Sequence, residues 1–374
     1  MSANRFPVTL GMIVKNEEKL LPQCLETVHR RVAELLIVDT GSTDRTVRIA
    51  RKFGARVIRR AASKDWTRHR NLYVRHATQP WILSLDADER IAARDVPRIG
   101  ELIRGKADAY SFRVRNYGDA FNLLRGWHAN AGEYPREEKF SGMHGWSTNQ
   151  VTRLYRNDPR YEHEGVHILI GPSIRRHGGV VREAPFPIHH FECLKGPDYF
   201  LKKQTIYYRR TLEELGTSPD PAKTRLDIAI GLFSMGKKDA EAISHLRRAL
   251  RIRPGYADAL KLLAMVYQET GRPALAARHL ERALESSPKD PDLHCLLGAA
   301  LAASGRPERA VTRLKRALRI QRDHPVAWCA LGWAHESRGD FRAASEAYRR
   351  SLRVLPTYEA PRENLRRLEK RARA

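Results

Sequence analysis

Cysteine is scarce. The 374 residues hold four, Cys24, Cys193, Cys295 and Cys329. They show neither the paired spacing of a zinc site nor the density of a disulfide scaffold, which excludes a small bridge-held secreted framework and points to a reducing compartment. No apolar run approaches the roughly 20 residues that a membrane-spanning helix needs. The opening Met-Ser-Ala-Asn-Arg-Phe-Pro passes into an apolar stretch too brief, and too soon followed by charge, for a signal peptide. A cytoplasmic location is expected. Acids are also in short supply, with 43 Asp and Glu against 68 Lys and Arg and a formal net charge of +25. Such a chain attracts anions, and peripheral contact with an anionic membrane fits it. No RNP-like, zinc or helix-turn-helix pattern accompanies the charge, so nucleic acid is not an expected partner.

Against these absences, 42% of residues are hydrophobic, enough to form a core, and the length suits roughly two or three domains. The clearest pattern lies in the last 150 or so residues, where Gly271, Gly305 and Gly339 recur at a spacing of 34. Ala242, Ala276, Ala310 and Ala344 keep the step, as do Ala249, Ala283, Ala317 and Ser351, and Pro254, Pro288 and Pro356 with Arg322 in the gap. Four units are therefore predicted over 222–356, each a pair of antiparallel helices. Glycine ends the first helix, alanines let the pair approach, and proline stops the second. The first unit is degenerate, because Gly236 lies one residue off the period and Lys237 takes the glycine position. The basic segment 357–374 reads as a polar capping helix. These repeats resemble the tetratricopeptide repeat.

The expected first domain, 1–215, looks different. Apolar runs Val8 to Val14, Leu35 to Val38, Ala55 to Ile58 and Trp81 to Leu85 alternate with helical stretches Glu17 to Val32, Thr43 to Phe53 and Trp66 to Ala77. That order predicts α/β architecture with a mostly parallel sheet. From about 105 to 190 the pattern weakens, and Asn116 to Ser147 reads as a mobile acceptor loop.

Ligands of open parallel sheets sit beyond the carboxyl ends of the strands. There the chain places Lys15-Asn16-Glu17-Glu18, Asp39-Thr40-Gly41-Ser42-Thr43-Asp44 and Asp86-Ala87-Asp88-Glu89. Gathered carboxylates repel unless a cation or hydrogen-bond donors compensate, so a shared ligand or metal is the natural reading. If strand conformation persists, Asp86 and Asp88, two apart, project from one face. Hard oxygen ligands select Mg²⁺ or Mn²⁺, which complete their shells with substrate phosphates. The alternative is a helix cap with surface acids. Ser42, Thr43 and Asp44 likewise suit a turn and N-cap.

Val-Lys-Asn-Glu-Glu, Val-Asp-Thr-Gly-Ser-Thr-Asp and Leu-Asp-Ala-Asp-Glu, in this order and with Arg70-Asn71 in the helix before the fourth strand, resemble a family 2 glycosyltransferase of the GT-A fold. The resemblance is close over residues 7 to about 90 and looser to His190. It implies that Asn16 and Glu17 line a nucleoside pocket, Asp39 hydrogen-bonds the base, Asp86 faces the ribose and Asp88 ligates the metal. Arg70 assists the charge that builds on the leaving diphosphate.

A general base is expected later in the chain. Thr152-Arg153-Leu154-Tyr155-Arg156 resembles the family's Arg-Leu-Phe-Arg segment, and Tyr161-Glu162-His163-Glu164-Gly165-Val166-His167 follows it. The match departs from the family before His167, and Ile168 stands where a glutamate is usual. Glu164, His167 and then Glu162 are the candidates, with a plain surface hairpin as the alternative. In Pro187-Ile188-His189-His190, His190 is the candidate to complete the metal shell and His189 its substitute, against a buried hydrogen-bonded pair. Arg153 and Arg156 could steady the diphosphate, but in a chain this rich in arginine they read as solvated charges by default.

The resemblance implies an inverting, metal-dependent transferase that moves a hexose-type sugar from a nucleotide-sugar, a UDP-sugar first, to a peptide, protein or glycan acceptor. The repeats would present the acceptor or recruit a partner. This domain pairing resembles bacteriocin S-glycosyltransferases, and the N-terminal domain alone lipopolysaccharide-core glucosyltransferases. A catalytically inactive scaffold is the alternative.

Overall fold

A computed structural model describes residues 5–61, 66–118, 127–129, 145–164, 169–236 and 239–373. The described residues fall into two compact units. One comprises 5–117 and 148–194, the other 118, 127–129, 145–147 and 195–373.

The first unit begins with β1 (Phe6–Val14), α1 (Leu21–Val28), β2 (Val32–Asp39), α2 (Thr46–Lys52), β3 (Arg56–Arg59), α3 (Trp66–His76) and β4 (Trp81–Ser84). Each predicted strand and helix is present, with ends shifted by a few residues. β5 (Glu89–Arg90), α4 (Ile99–Arg104), β6 (Ala109–Tyr117), β8 (Gly145–Arg156), of which 148–156 belong to this unit, α5 (Gly171–Arg176), β9 (Val181–Glu183) and β10 (Ile188–His190) follow, while β7 (Trp127–Ala129) is grouped with the other unit. The sheet runs β3-β2-β1-β4-β8-β6-β10-β5, with β7 on β8 and β9 on β6. The β3-β2-β1-β4 half is parallel, whereas β4 meets β8, and β10 meets β5, in antiparallel sense. The sheet is thus mixed.

β1 reads as a near-continuous apolar run because, between two parallel neighbours, it is buried on both faces. On one face Val8, Leu10 and Met12 pack with Leu21, Cys24, Leu25 and Val28, the i, i+3, i+4, i+7 stripe of α1. On the other, Leu36, Val38 and Ile82 pack with Tyr73 and Val74 of α3 and Ile174 of α5. Gly11 permits this approach, since a Cβ there would lie 2.5 Å from the Tyr73 ring.

The second unit holds α6 (Pro197–Glu213), the helix pairs α7 (Pro221–Ser234) and α8 (Asp239–Ile252), α9 (Ala257–Glu269) and α10 (Pro273–Ser286), α11 (Pro291–Ala303) and α12 (Pro307–Ile320), and α13 (Pro325–Ser337) and α14 (Phe341–Val354), then α15 (Glu359–Arg373). Gly271, Gly305 and Gly339 end their helices at φ of +70°, +75° and +77°, the left-handed turn that favours glycine. Gly236, at φ +63°, ends α7 in the same way one residue early; Lys237 lies outside the described residues. Ser351 takes an alanine position because its buried hydroxyl donates to the Pro325 carbonyl at 2.7 Å. α15 lays Leu365 and Leu368 on Ala344 and Tyr348. The expected boundary at 215 falls after α6. That helix groups with the repeats, where Tyr208 packs against Gly231 of α7. Most of 116–147 lies outside the described residues.

Candidate functional site

Parallel pairing brings the ends of β1, β2 and β4 to one edge, with Val14 beside Asp39 and Gly11 beside Ser84. Backbone and side chains lace the first two loops together. Asn16, at φ +55°, accepts from the Thr43 amide through Oδ1 at 2.8 Å and donates its own amide to Ser42 Oγ at 3.0 Å. The Glu17 amide donates to Thr46 Oγ1 at 2.8 Å, and the Glu18 amide to Asp44 Oδ2 at 3.1 Å. Asp39, 2% exposed, accepts from the Ser42 amide at 3.2 Å. Asp44 Oδ1 takes the Thr46 amide at 2.9 Å at the start of α2. The turn role expected of Ser42 and Asp44 is therefore present, Asn16 and Asp39 share in it, and Arg45 rather than an expected residue stands at the N-cap of α2.

The acidic motif departs from its expected geometry. β4 stops at Ser84, and Asp86 and Asp88 lie on the turn to β5, closed by the Glu89 amide donating to the Asp86 carbonyl at 2.9 Å. Because the strand does not persist, the two carboxylates take different partners. Asp86 Oδ1 receives Arg70 Nη2 at 2.7 Å, and Oδ2 receives Arg153 Nη2 at 2.9 Å. The same Arg153 nitrogen reaches Glu89 Oε1 at 2.5 Å, while Glu89 Oε2 takes the Asp86 amide at 2.9 Å. Burial opposes the charge on Asp86, but Arg70 and Arg153 outweigh it and hold the carboxyl well below the usual carboxylate range. Burial pushes Glu89 up despite Arg153.

Asp88, 3% exposed, faces His190, whose Nε2 stands 3.5 Å from Asp88 Oδ2. The other ring nitrogen, Nδ1, meets Asn116 Oδ1 at 2.7 Å. Burial opposes protonation of His190, but Asp88 prevails and raises its pKa. His189, fully buried, points to the other side of β10. Its Nδ1 meets the Tyr117 hydroxyl at 2.8 Å, and burial, with Arg115, Arg94 and Arg90, lowers its pKa to about 3. The two expected histidine roles thus divide: His189 is a neutral core residue, and His190 faces the acid.

The donor chemistry fits a divalent cation. Asp88 and His190 supply an oxygen and a nitrogen within reach of one ion, and Asn116 holds the far imidazole nitrogen as supports of metal-bound histidines do. Among the described residues no three His, Cys, Asp or Glu side chains gather as a metal cage.

The base candidates lie elsewhere on the unit. Glu164 pairs with Arg176 at 2.5 Å and bridges Leu169 through its backbone, whereas the exposed Glu162 donates its amide to Ser173 Oγ at 3.1 Å. His167 lies outside the described residues. Between the two glutamates, His163 is tied to α3. Asn71 grips its backbone through both amide atoms, at 2.7 and 3.1 Å, and its Nε2 meets Tyr73 and Tyr155 hydroxyls at 3.2 and 3.1 Å. Tyr73 continues to Ser84 Oγ at 2.8 Å, and Ser84 to Arg70 at 3.2 Å. A hydrogen-bonded chain therefore joins the 161–164 loop to Asp86.

Sequence reasoning did not single out Asn116 or His163, placed Glu89 only among the gathered carboxylates and gave Arg153 a solvated default. Arg153 is 7% exposed and buried in an ion-pair network, which overturns its reading as a solvated charge. Its place beside the apolar Leu154 in a strand was the available signal. Arg156 behaves differently, half exposed, stacked on Trp81 and 3.4 Å from Asp108.

Residues 9–160 match the family model described as Glycosyl transferase family 2. Residues 237–300, 270–331 and 325–357 match tetratricopeptide repeat models. A TPR repeat-containing protein of Synechococcus elongatus is 34% identical over 159 residues, 42% of this chain and 34% of that protein. The lipopolysaccharide core biosynthesis glycosyltransferase LpsC of Rhizobium meliloti is 30% identical over 29% of this chain and 42% of its own. The prophage-derived glycosyltransferase SunS of Bacillus subtilis is 33% identical over 26% and 24%. The chain thus spans less than half the length of these relatives. The crystal structure of MamA overlies 42% of this chain and 91% of its own at 18% identity and a TM-score of 0.38.

Proposed function

Because residues 9–160 form a glycosyl transferase family 2 domain and tetratricopeptide repeats follow over 237–357, we propose that the chain transfers a sugar from a nucleoside diphosphate donor to a peptide, protein or glycan acceptor. The observation that carries this reading is the facing pair Asp88 and His190, set beside an Asp86 locked between two arginines. UDP-sugar is the donor class to test first.

In this reading Asn16, Glu17 and Asp39 form the nucleoside side of the site and Asp86 its ribose side. Asp88 and His190 would hold Mn²⁺ or Mg²⁺, which would supply positive charge beside the departing diphosphate. Arg70 and Arg153 keep Asp86 ionised and oriented, so the acid accepts hydrogen bonds. The acceptor heteroatom attacks the anomeric carbon as the carbon–oxygen bond to the diphosphate breaks. Its proton passes to a base drawn from Glu164, His167 or Glu162, and the configuration inverts. Glu164 acts only after releasing Arg176. The repeats hold a polypeptide, either the acceptor or a partner protein.

A donor-hydrolysis screen across nucleotide-sugars with Mn²⁺ or Mg²⁺ tests the class without needing the acceptor. Metal-dependent release of one nucleoside diphosphate is expected. Absence of release, together with no metal-dependent UDP binding by calorimetry, would leave the inactive scaffold as the better reading.

A further inference from the structure

The N-terminal unit carries a concavity of about 590 Å³, walled by Arg94, Asp95, Arg98, Arg113 and Arg115 with two prolines. Four guanidinium groups and one carboxylate line it. Asp95 is 3% exposed and accepts from Arg98 Nη1 at 3.0 Å, so the one acid is answered inside the wall. Arg98 is fixed further, with Nη2 donating to the Pro185 carbonyl at 3.3 Å and its guanidinium 5.1 Å from the centre of the Phe186 ring. Arg115 is 9% exposed, and a cation withdrawn from water acts on an anion far more strongly than a solvated one. At the rim, Arg113 meets Glu183 at 3.2 Å with both side chains more than half exposed, a pair of little strength.

The cavity is set apart from the Asp88–His190 pair by strand geometry. Arg115 is in register with His189, and Asn116 with His190, and successive side chains of a strand point to opposite faces. Asn116 meets His190, so Arg113 and Arg115 stand on the other face of β6. The lining residues offer charge and no aromatic ring, which argues against a nucleobase or sugar ring as the held group. Arginine forks match the tetrahedral oxygens of phosphate.

We propose that this concavity is a metal-independent phosphate-binding site, distinct from the donor site, that receives the phosphoryl group of a lipid headgroup or of a soluble phosphorylated molecule. The proposal does not rest on the transferase reading.

The test uses the full chain in EDTA, with inorganic pyrophosphate by calorimetry and phosphatidylglycerol-containing vesicles by co-sedimentation. Arg94→Glu/Arg113→Glu changes two exposed rim residues, and intact thermal unfolding confirms its fold. Arg113→Gln alone is the fallback if it does not fold. Arg316→Glu/Arg319→Glu, on the exposed face of α12, removes the same charge elsewhere. A tenfold or greater loss of pyrophosphate affinity in the rim variant alone supports a soluble ligand. The same loss confined to vesicles supports a lipid headgroup. Failure of the wild type to bind either probe, binding that survives in the rim variant, or equal losses in both charge-reversed variants overturns the proposal.

Discussion

Nε2 of His190 and Oδ2 of Asp88 stand 3.5 Å apart, and the peptide after His190 is fastened to the same acid, since the Phe191 amide donates to the Asp88 carbonyl at 2.9 Å. A segment about one hundred residues downstream is thus held against the turn after β4 by backbone as well as side chain. If the pair holds the cation, Asp88→Ala abolishes Mn²⁺-dependent UDP binding. Asn116→Ala, which removes only the support of the imidazole, weakens it by about 10- to 100-fold. Calorimetry with and without Mn²⁺ reads both, and an unchanged affinity in Asp88→Ala would exclude this metal site.

Arg153 is buried between Asp86 and Glu89. Removing one member of a buried ion pair strands the other charge, at a cost of about 3–5 kcal/mol. Arg153→Met is expected to lower the urea midpoint of the N-terminal unit accordingly. Arg153→Met/Glu89→Leu should recover part of the loss, because Asp86 keeps Arg70. A cost below about 1 kcal/mol for Arg153→Met would contradict the network.

Glu164 is the base candidate with a defined partner. Glu164→Gln preserves its shape and is expected to lower kcat by about 10²- to 10⁴-fold while the affinity for Mn²⁺ and UDP stays unchanged. Steady-state rates on the donor and acceptor found by screening decide it. A full kcat transfers the role to His167 or Glu162.

The repeats contain a buried polar cluster that makes stability depend on pH. Asp292, 4% exposed, accepts from His324 Nε2 at 3.0 Å and from Lys261 at 3.3 Å, while His324 Nδ1 caps α13 by accepting the Ala327 amide. Burial opposes the charge on Asp292, but His324 and Lys261 outweigh it and lower its pKa. A lowered folded pKa means stability that is present above the unfolded value, about 3.9, and is lost as pH falls from there toward the folded pKa. Urea midpoints at pH 5 and pH 3 should fall more steeply for the wild type than for Asp292→Asn. Parallel slopes would remove Asp292 from the account.

Much of the fold was legible because it repeats a local rule. The 34-residue step of glycine and alanine located four helix pairs, and short apolar runs located the parallel strands, since each pattern records which side of an element is buried. The site was legible only in part. The expectation that Asp86 and Asp88 share a face assumed that β4 continued, but the chain turns after Ser84. Nothing in the sequence marked Asn116 as the support of His190, because their contact exists only once β6 and β10 lie side by side.

The sequence by itself determined the division into a sheet-bearing unit and a helical array, and which acids and amides would gather at the strand ends, because those features follow from periodicity and chain order. Tertiary structure alone decided which histidine meets Asp88, that Arg153 is an interior charge and that β6 turns its arginines away from the Asp88–His190 pair. Each of these depends on strand register, where a shift of one residue exchanges the two faces.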